Sequence, residues 1–480
     1  IASTGEIDLL AAGASSPPAA VQQLRRVMGF RDLLLFYVAT GFSLRWIATA
    51  SAAGPSAIVI WLLACVGFYV PLVLTVLELS SRYPNEGGVY VWAKESFGGF
   101  AGFLTAWTYW TSNLPYFPSL LYFTAANALF LAGAHGSALA NEPTYFVLAS
   151  CAGLALAAGL NVRGLDIAKW LHNVGAVALW VPAVILIVLA GVALVRVGSA
   201  TPFTLTSLVP STHLKDIVFW STIAFSLSGA ESASMLGDEI DRPRRNMPRA
   251  LLTAGALITS AYILATIAIM IALPTGRVPE IQGVMLAIQS LAGHFGVSII
   301  AVLAAVLVVL SGIGQTGAWF AASARLPFVA GLDRYLPPAF ARVHPRWHTP
   351  YVALLVQAAI SVVFILLSQA GTGVKGANDV LVSMSIIAYF IPYLFMFAAL
   401  IKAQRVPAGP GVMRVPGGPR VARVVASVGL VVTAVAIFLS LLPAADEANK
   451  PLAVTKIVGL SALLVGIGAA LYWNAVRRRR

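Results

Sequence analysis

From residue 32 to residue 474 the chain is a succession of apolar runs of about 20 residues or more, each ended by charged or turn residues. A helix of about that length crosses the hydrocarbon core of a bilayer. Only helices and closed barrels can cross it, because no water is there to satisfy free backbone groups. The runs are continuous rather than alternating, which excludes a transmembrane β-barrel. We therefore read an all-α integral membrane protein with twelve transmembrane helices, at 32–53, 56–80, 97–133, 143–160, 168–196, 216–236, 248–273, 297–322, 349–369, 378–402, 420–443 and 452–474. Pro115 and Pro118 should kink the long third span. Residues 276–295 read as a short external helix.

The charge distribution supports this topology. The chain is 59% hydrophobic and 10% charged, with a net charge of +13. Its Lys and Arg residues are scattered through short loops, so they speak for orientation rather than for nucleic acid. With the N-terminus cytoplasmic, 24 of the 31 fall in cytoplasmic loops, tails and flanks and 6 in external loops, leaving Arg45 inside a span. Both termini are thus expected in the cytoplasm, at the plasma (bacterial inner) membrane, with Arg477–Arg480 against lipid headgroups. Residues 1–28, rich in Ala, Ser and Gly, read as a disordered cytoplasmic tail. Cys65 and Cys151 lie in apolar spans and suggest neither disulfide nor metal.

Segments 29–197 and 215–402 each contain five spans, so the second must enter the membrane inverted; 420–474 adds two more spans, and 475–480 is a basic tail. Each five-span unit opens with an interrupted helix, and paired interruptions of this kind point to a transporter's midplane binding site. Span one contains Thr40-Gly41-Phe42-Ser43-Leu44-Arg45-Trp46, where Gly41 and Ser43 permit unwinding. A guanidinium within a membrane segment must be paired or hydrated. Arg45 either offers its fork to a substrate carboxylate or forms a permanent ion pair with Glu231. Span six contains Phe225-Ser226-Leu227-Ser228-Gly229-Ala230-Glu231, with its lone carboxylate beside a Ser- and Gly-rich break. Such a carboxylate is a candidate proton switch.

Three stretches carry a resemblance: Glu78-Leu79-Ser80-Ser81-Arg82-Tyr83-Pro84-Asn85-Glu86-Gly87-Gly88 between spans two and three; Gly229-Ala230-Glu231-Ser232-Ala233-Ser234 with Asp241-Arg242-Pro243 after it; and Trp319 with Leu336-Pro337-Pro338 after it. Over residues 29–402 the chain resembles the amino acid, polyamine and organocation (APC) transporter superfamily, and in span six its arginine/agmatine antiporter branch. The resemblance implies the leucine-transporter-type fold, a 5+5 inverted repeat plus two C-terminal helices. It also implies a proton-sensing role for Glu231, a substrate-covering aromatic at Phe225, substrate contact by Asn113 and a pathway-lining Trp319. The family's Gly-Ser-Gly break, whose free amides hold the substrate carboxylate, is replaced here by Phe42-Ser43-Leu44. The lysine that replaces sodium in some members falls near Leu179, so no lysine switch is expected.

Gly312-Ile313-Gly314-Gln315-Thr316-Gly317 fits a dinucleotide-binding pattern but lies inside an apolar span with no βαβ unit, and close helix packing accounts for it better. The histidines lack metal-ligand spacing; among them only His172 stands out as a pH sensor. The expected function is secondary active transport of amino acids or related amines, by exchange or with protons. Its site is built from Gly41, Phe42, Ser43, Arg45, Trp46, Asn113, Phe225, Ser228, Gly229, Glu231 and Trp319, without cofactor, metal or nucleic acid. Alternatives are a polyamine or organic cation transporter and a non-transporting nutrient sensor of the same fold.

Overall fold

The computed structural model describes residues 29–83, 88–211, 214–232, 234, 240–332, 335–444 and 447–479. Ten helices in them are long and apolar enough to span a bilayer: Ser56–Arg82, Gly99–Ala132, Pro143–Arg163, Asn173–Arg196, Pro243–Ala272, Ile299–Pro327, Tyr351–Gln369, Val374–Ala403, Gly418–Ser440 and Lys450–Arg478. The predicted spans one and six are absent from this group because neither is a single helix. Span one is α1 (Phe30–Gly41) followed by α2 (Leu44–Ser51). The second long span joins α3 (Ser56–Ala64), a π-helical turn at Cys65–Tyr69 and α4 (Val70–Arg82). Next come α5 (Val89–Phe97), α6 (Gly99–Thr111), α7 (Asn113–Ala128), α8 (Ala134–Leu139), α9 (Pro143–Arg163) and α10 (Leu165–Arg196). Span six contributes α11 (Leu214–Ser226), followed by α12 (Pro243–Ala272), α13 (Gly283–His294), α14 (Ile299–Leu332), α15 (Tyr351–Gln369), α16 (Val374–Ala403), α17 (Gly418–Ser440) and α18 (Lys450–Arg479). The described residues contain no β-strand.

The surface confirms the solvent. Leu35, Val66, Leu148, Val195 and Phe438 are all more than half exposed, a display of apolar side chains that only lipid makes favourable. The chain is therefore an integral, multi-pass membrane protein. Within the bundle, α10 packs closely along α14, where a Cβ on Gly175 would lie 2.7 Å from the Gly314 backbone. A Cβ on Gly312 would overlap the Thr124 hydroxyl of α7. The GxGxxG stretch is thus a packing surface on α14.

The third long span is interrupted at Ser112, between α6 and α7. Pro115 explains this, because it has no N–H for the carbonyl of Thr111 and its ring crowds that turn. The Asn113 amide donates to the Tyr109 carbonyl at 2.9 Å, satisfying backbone in the loosened turn.

Glu78, buried at the end of α4, accepts hydrogen bonds from Arg82 Nε (3.0 Å), Gln404 Nε2 (2.7 Å) and the backbone N–H of Val415 (2.9 Å). It thereby ties the segment after α16 to α4. Residues 84–87 of the matching motif lie outside the described residues, as do Ala233, the tail 1–28 and the side chain of His172.

Candidate functional site

The site is organised by two helix breaks. Between α1 and α2, Phe42 and Ser43 are extended, with φ/ψ of −113/137° and −147/130°. This frees backbone groups that must find other partners. Tyr262 of α12 takes two of them: its hydroxyl accepts from the Ser43 N–H at 3.0 Å and donates to the Gly41 carbonyl at 3.2 Å. Gln315 of α14 takes a third, donating from Nε2 to the Phe42 carbonyl at 3.0 Å. The second break follows α11. Gly229 has φ +107°, a conformation open to glycine but strained for other residues. Its N–H donates to the Tyr393 hydroxyl of α16 at 3.1 Å. At both breaks, then, a buried tyrosine hydroxyl receives the exposed amide.

A cavity of about 50 Å³, room for a few waters, lies between the breaks. Gly41, Phe42, Ser43 and Trp46 line it from one side, and Phe225, Ser228 and Gly229 from the other. Asn113 and Trp319 complete its wall together with Tyr116, Tyr262 and Tyr389. Nine of the eleven residues singled out in the sequence meet around this one space. None of its lining side chains is charged.

The remaining two, Arg45 and Glu231, line other surroundings. Glu231 is fully buried and accepts three tyrosine hydroxyls: Tyr109 at 3.0 Å and Tyr389 at 2.6 Å on Oε1, and Tyr393 at 2.5 Å on Oε2. Tyr389 also lines the cavity, and its ring meets Phe225 edge-on at 5.4 Å. The expectation that Glu231 could serve as the ion-pair partner of Arg45 is therefore corrected. Among the described residues Arg45 has no hydrogen-bonding partner at Nε, Nη1 or Nη2, although it is 4% exposed. Its guanidinium sits over the Trp46 ring at 3.9 Å and near Tyr116 at 5.2 Å. It lines a second, larger cavity of about 250 Å³. Trp46 lines both cavities and meets Phe225 edge-on at 5.5 Å, so the two rings stand at the boundary between them.

The tyrosines at 109, 262, 389 and 393 were missed in the sequence because they read there as apolar. The spacing of Tyr389 and Tyr393, one helical turn apart and thus on one face of a span, was the available signal.

Two broken helices facing each other across a small cavity walled by aromatic, hydroxyl and amide side chains are the arrangement expected of a membrane carrier, and the sequence profile of the amino acid permease family matches residues 28–463. The chain belongs to the amino acid permease family. It is accordingly a transporter. Relatives include an uncharacterized transporter of Legionella pneumophila, 29% identical over 79% of this chain and 82% of the relative. A probable agmatine/putrescine antiporter of Lactococcus lactis is 23% identical over 75% of this chain and 76% of its own. An aspartate/glutamate permease of Lactococcus lactis is 24% identical, covering 73% and 74%.

Proposed function

We propose that this permease carries amino acids or related amines by alternating access, as an exchanger or with a proton, and that the substrate occupies the space between the two breaks. The observation carrying this reading is that both broken helices contribute to one cavity with hydroxyl, amide and aromatic walls. The ten long helices plus the two interrupted ones make twelve crossings, read as inverted five-span units over 29–197 and 215–402 followed by two further helices. The bias of Lys and Arg toward one set of loops supports cytoplasmic termini at a bacterial inner membrane.

Trp46 and Phe225 meet edge-on at 5.5 Å beside this cavity, and loading the site would require the two rings to part. Ring faces of Phe225, Trp319 and Tyr116 would attract the ammonium of an amino acid or amine. Glu231 would act from behind this wall. An ionised carboxylate accepts all three tyrosine hydroxyls, whereas a protonated one must give up an acceptor position. Tyr389, which touches both the carboxylate and the cavity, would carry that change to the substrate. Protonation and cavity shape are coupled in this scheme through one hydroxyl.

The relatives' printed substrates are dicationic amines in one case and amino acids of net charge −1 in another, so they leave the charge class open. We favour zwitterionic amino acids, since a purely cationic substrate would meet the buried Arg45 charge on its way. The second reading, a polyamine or organic cation, is supported by the engagement of the Ser43 and Gly229 amides, which leaves them unavailable to a carboxylate in this conformation.

The test is uptake by purified protein in liposomes against labelled amino acids and amines, with and without internal counter-substrate and a pH gradient. Saturable uptake of one class, stimulated by counter-substrate or proton gradient, is expected. Silence across the panel would sink the proposal.

A further inference from the structure

Much of the wall between the breaks spends its hydrogen-bond donors on the protein itself. The hydroxyls of Thr40, Ser112, Ser226 and Ser228 donate to carbonyls three or four residues earlier in the chain. The Asn113 amide donates to the carbonyls of Tyr109 and Trp110. A group used in this way keeps oxygen lone pairs, which suit an ammonium, but offers no hydrogen to a carboxylate. The backbone N–H of Ser43 is a different kind of donor, because the break takes it out of any helix. Its partner is a single atom, the Tyr262 hydroxyl at 3.0 Å. Ser43 and Tyr262 both line the cavity, so the bond between them belongs to its wall.

Packing keeps that hydroxyl where it is. The Tyr262 ring is fully buried and stacks on Trp61 at 4.4 Å with 7° between the planes. The Trp61 indole N–H donates at 3.1 Å to the hydroxyl of Thr266, one turn further along α12. The ring also meets Phe42 at 5.0 Å. A ring held by these contacts stays in place when its oxygen alone is removed. A carboxylate that bonds to the Ser43 N–H must therefore displace a hydroxyl that its surroundings hold there. An amine carries no acceptor for this N–H and leaves the bond intact.

We propose that Tyr262 is a specificity-determining residue of the site between the breaks: its hydroxyl covers the Ser43 N–H and so sets how well an amino acid competes there with the corresponding amine. The proposal rests on the reading that substrate occupies this cavity, and it names the residue that discriminates between the two substrate classes of that reading.

The experiment uses the full chain in lipid nanodiscs and follows tryptophan fluorescence, since Trp46 and Trp319 line the cavity. The probes are pairs that differ by one carboxylate: arginine and agmatine, leucine and 3-methylbutylamine, phenylalanine and phenethylamine. The quantity read is the ratio of the two dissociation constants within a pair. Tyr262→Phe uncovers the Ser43 N–H, and a hydrogen bond to a charged acceptor should move the ratio toward the amino acid by about tenfold. The Gly41 carbonyl released at the same time serves the ammonium of both members alike and cancels from the ratio. Gln315→Leu loosens the same break by releasing only the Phe42 carbonyl, so its ratio should stay at the parent value. If Tyr262→Phe does not fold, Tyr262→Met, which also lacks the hydroxyl, carries the comparison. The proposal is overturned if the ratio in the folded Tyr262 variant equals that of the parent or moves toward the amine. It is also overturned if Gln315→Leu moves the ratio as far as Tyr262→Phe does, or if no pair is bound. Uptake of the same labelled compounds by the parent in liposomes separates the two readings: uptake with an unmoved ratio sinks the role of Tyr262 alone, whereas a moved ratio without uptake sinks the transport reading alone.

Discussion

Tyr393→Phe removes one oxygen atom and leaves a fully buried ring in place against Phe68, Tyr389 and Phe390. Its consequences are therefore confined to two hydrogen bonds. Glu231 loses one of its three donors, and a bond to a charged group contributes roughly 1.5–3 kcal/mol. The Gly229 N–H at the second break loses its acceptor, and a buried unsatisfied donor costs about 1–3 kcal/mol. Taking the low end of both, about 2.5 kcal/mol is removed from the conformation with the break arranged as seen here. At about 1.4 kcal/mol per tenfold, that displaces the balance between transport conformations by nearly two orders of magnitude. The assay is the initial rate of counter-substrate exchange in liposomes, with thermal melting to show that the variant is folded. A fall of at least about tenfold is expected. Tyr145→Phe is the control: its hydroxyl donates to the Ala125 carbonyl, which belongs to neither break, and its exchange rate should stay near that of the parent. A Tyr393→Phe chain that exchanges at the parent rate with the same pH profile would refute the reasoning.

Three further perturbations follow from the same structure. Glu231→Gln retains the shape but loses the ionisable group, so the pH dependence of uptake should flatten while substrate binding stays detectable; an unchanged pH profile removes Glu231 from the coupling. Gly175→Val drives a side chain into the Gly314 backbone, and overpacking of this kind costs about 1–3 kcal/mol, read as a lower melting temperature in detergent; unaltered melting would show that α10 and α14 are not held together there. Glu78→Ala leaves Arg82, Gln404 and the Val415 N–H without their shared acceptor, and breaking a buried ion pair costs roughly 3–5 kcal/mol. The segment between α16 and α17 should then become sensitive to added protease, and continued resistance would argue against the tie.

The positions of both breaks were legible in the sequence because helix interruption is a local property. Gly41 and Ser43 in one span and Ser228-Gly229 in the other weaken the backbone where they stand, and Pro115 does the same at Ser112. What surrounds the breaks was less legible. The three tyrosines on Glu231 come from residues 122 to 162 positions away in the chain, and no local pattern reports such a meeting. Arg45 illustrates a second limit. Because α2 starts afresh at Leu44, the helical periodicity of α1 says nothing about which way Arg45 faces, and Glu231 is held by three tyrosines instead. Tyr262 and Gln315 were hidden for a related reason, since they act on backbone groups whose availability exists only once the helix has broken.

The most direct measurement of the central claim, that substrate sits between the two breaks, is uptake by Ser228→Leu in liposomes. Leucine at this position adds a branched side chain to a space of about 50 Å³ and removes none of the hydroxyls that Glu231 accepts from. The account predicts a folded, monodisperse protein whose uptake does not exceed that of empty liposomes. Uptake at the parent rate would contradict it, because the substrate would then be passing elsewhere in the fold.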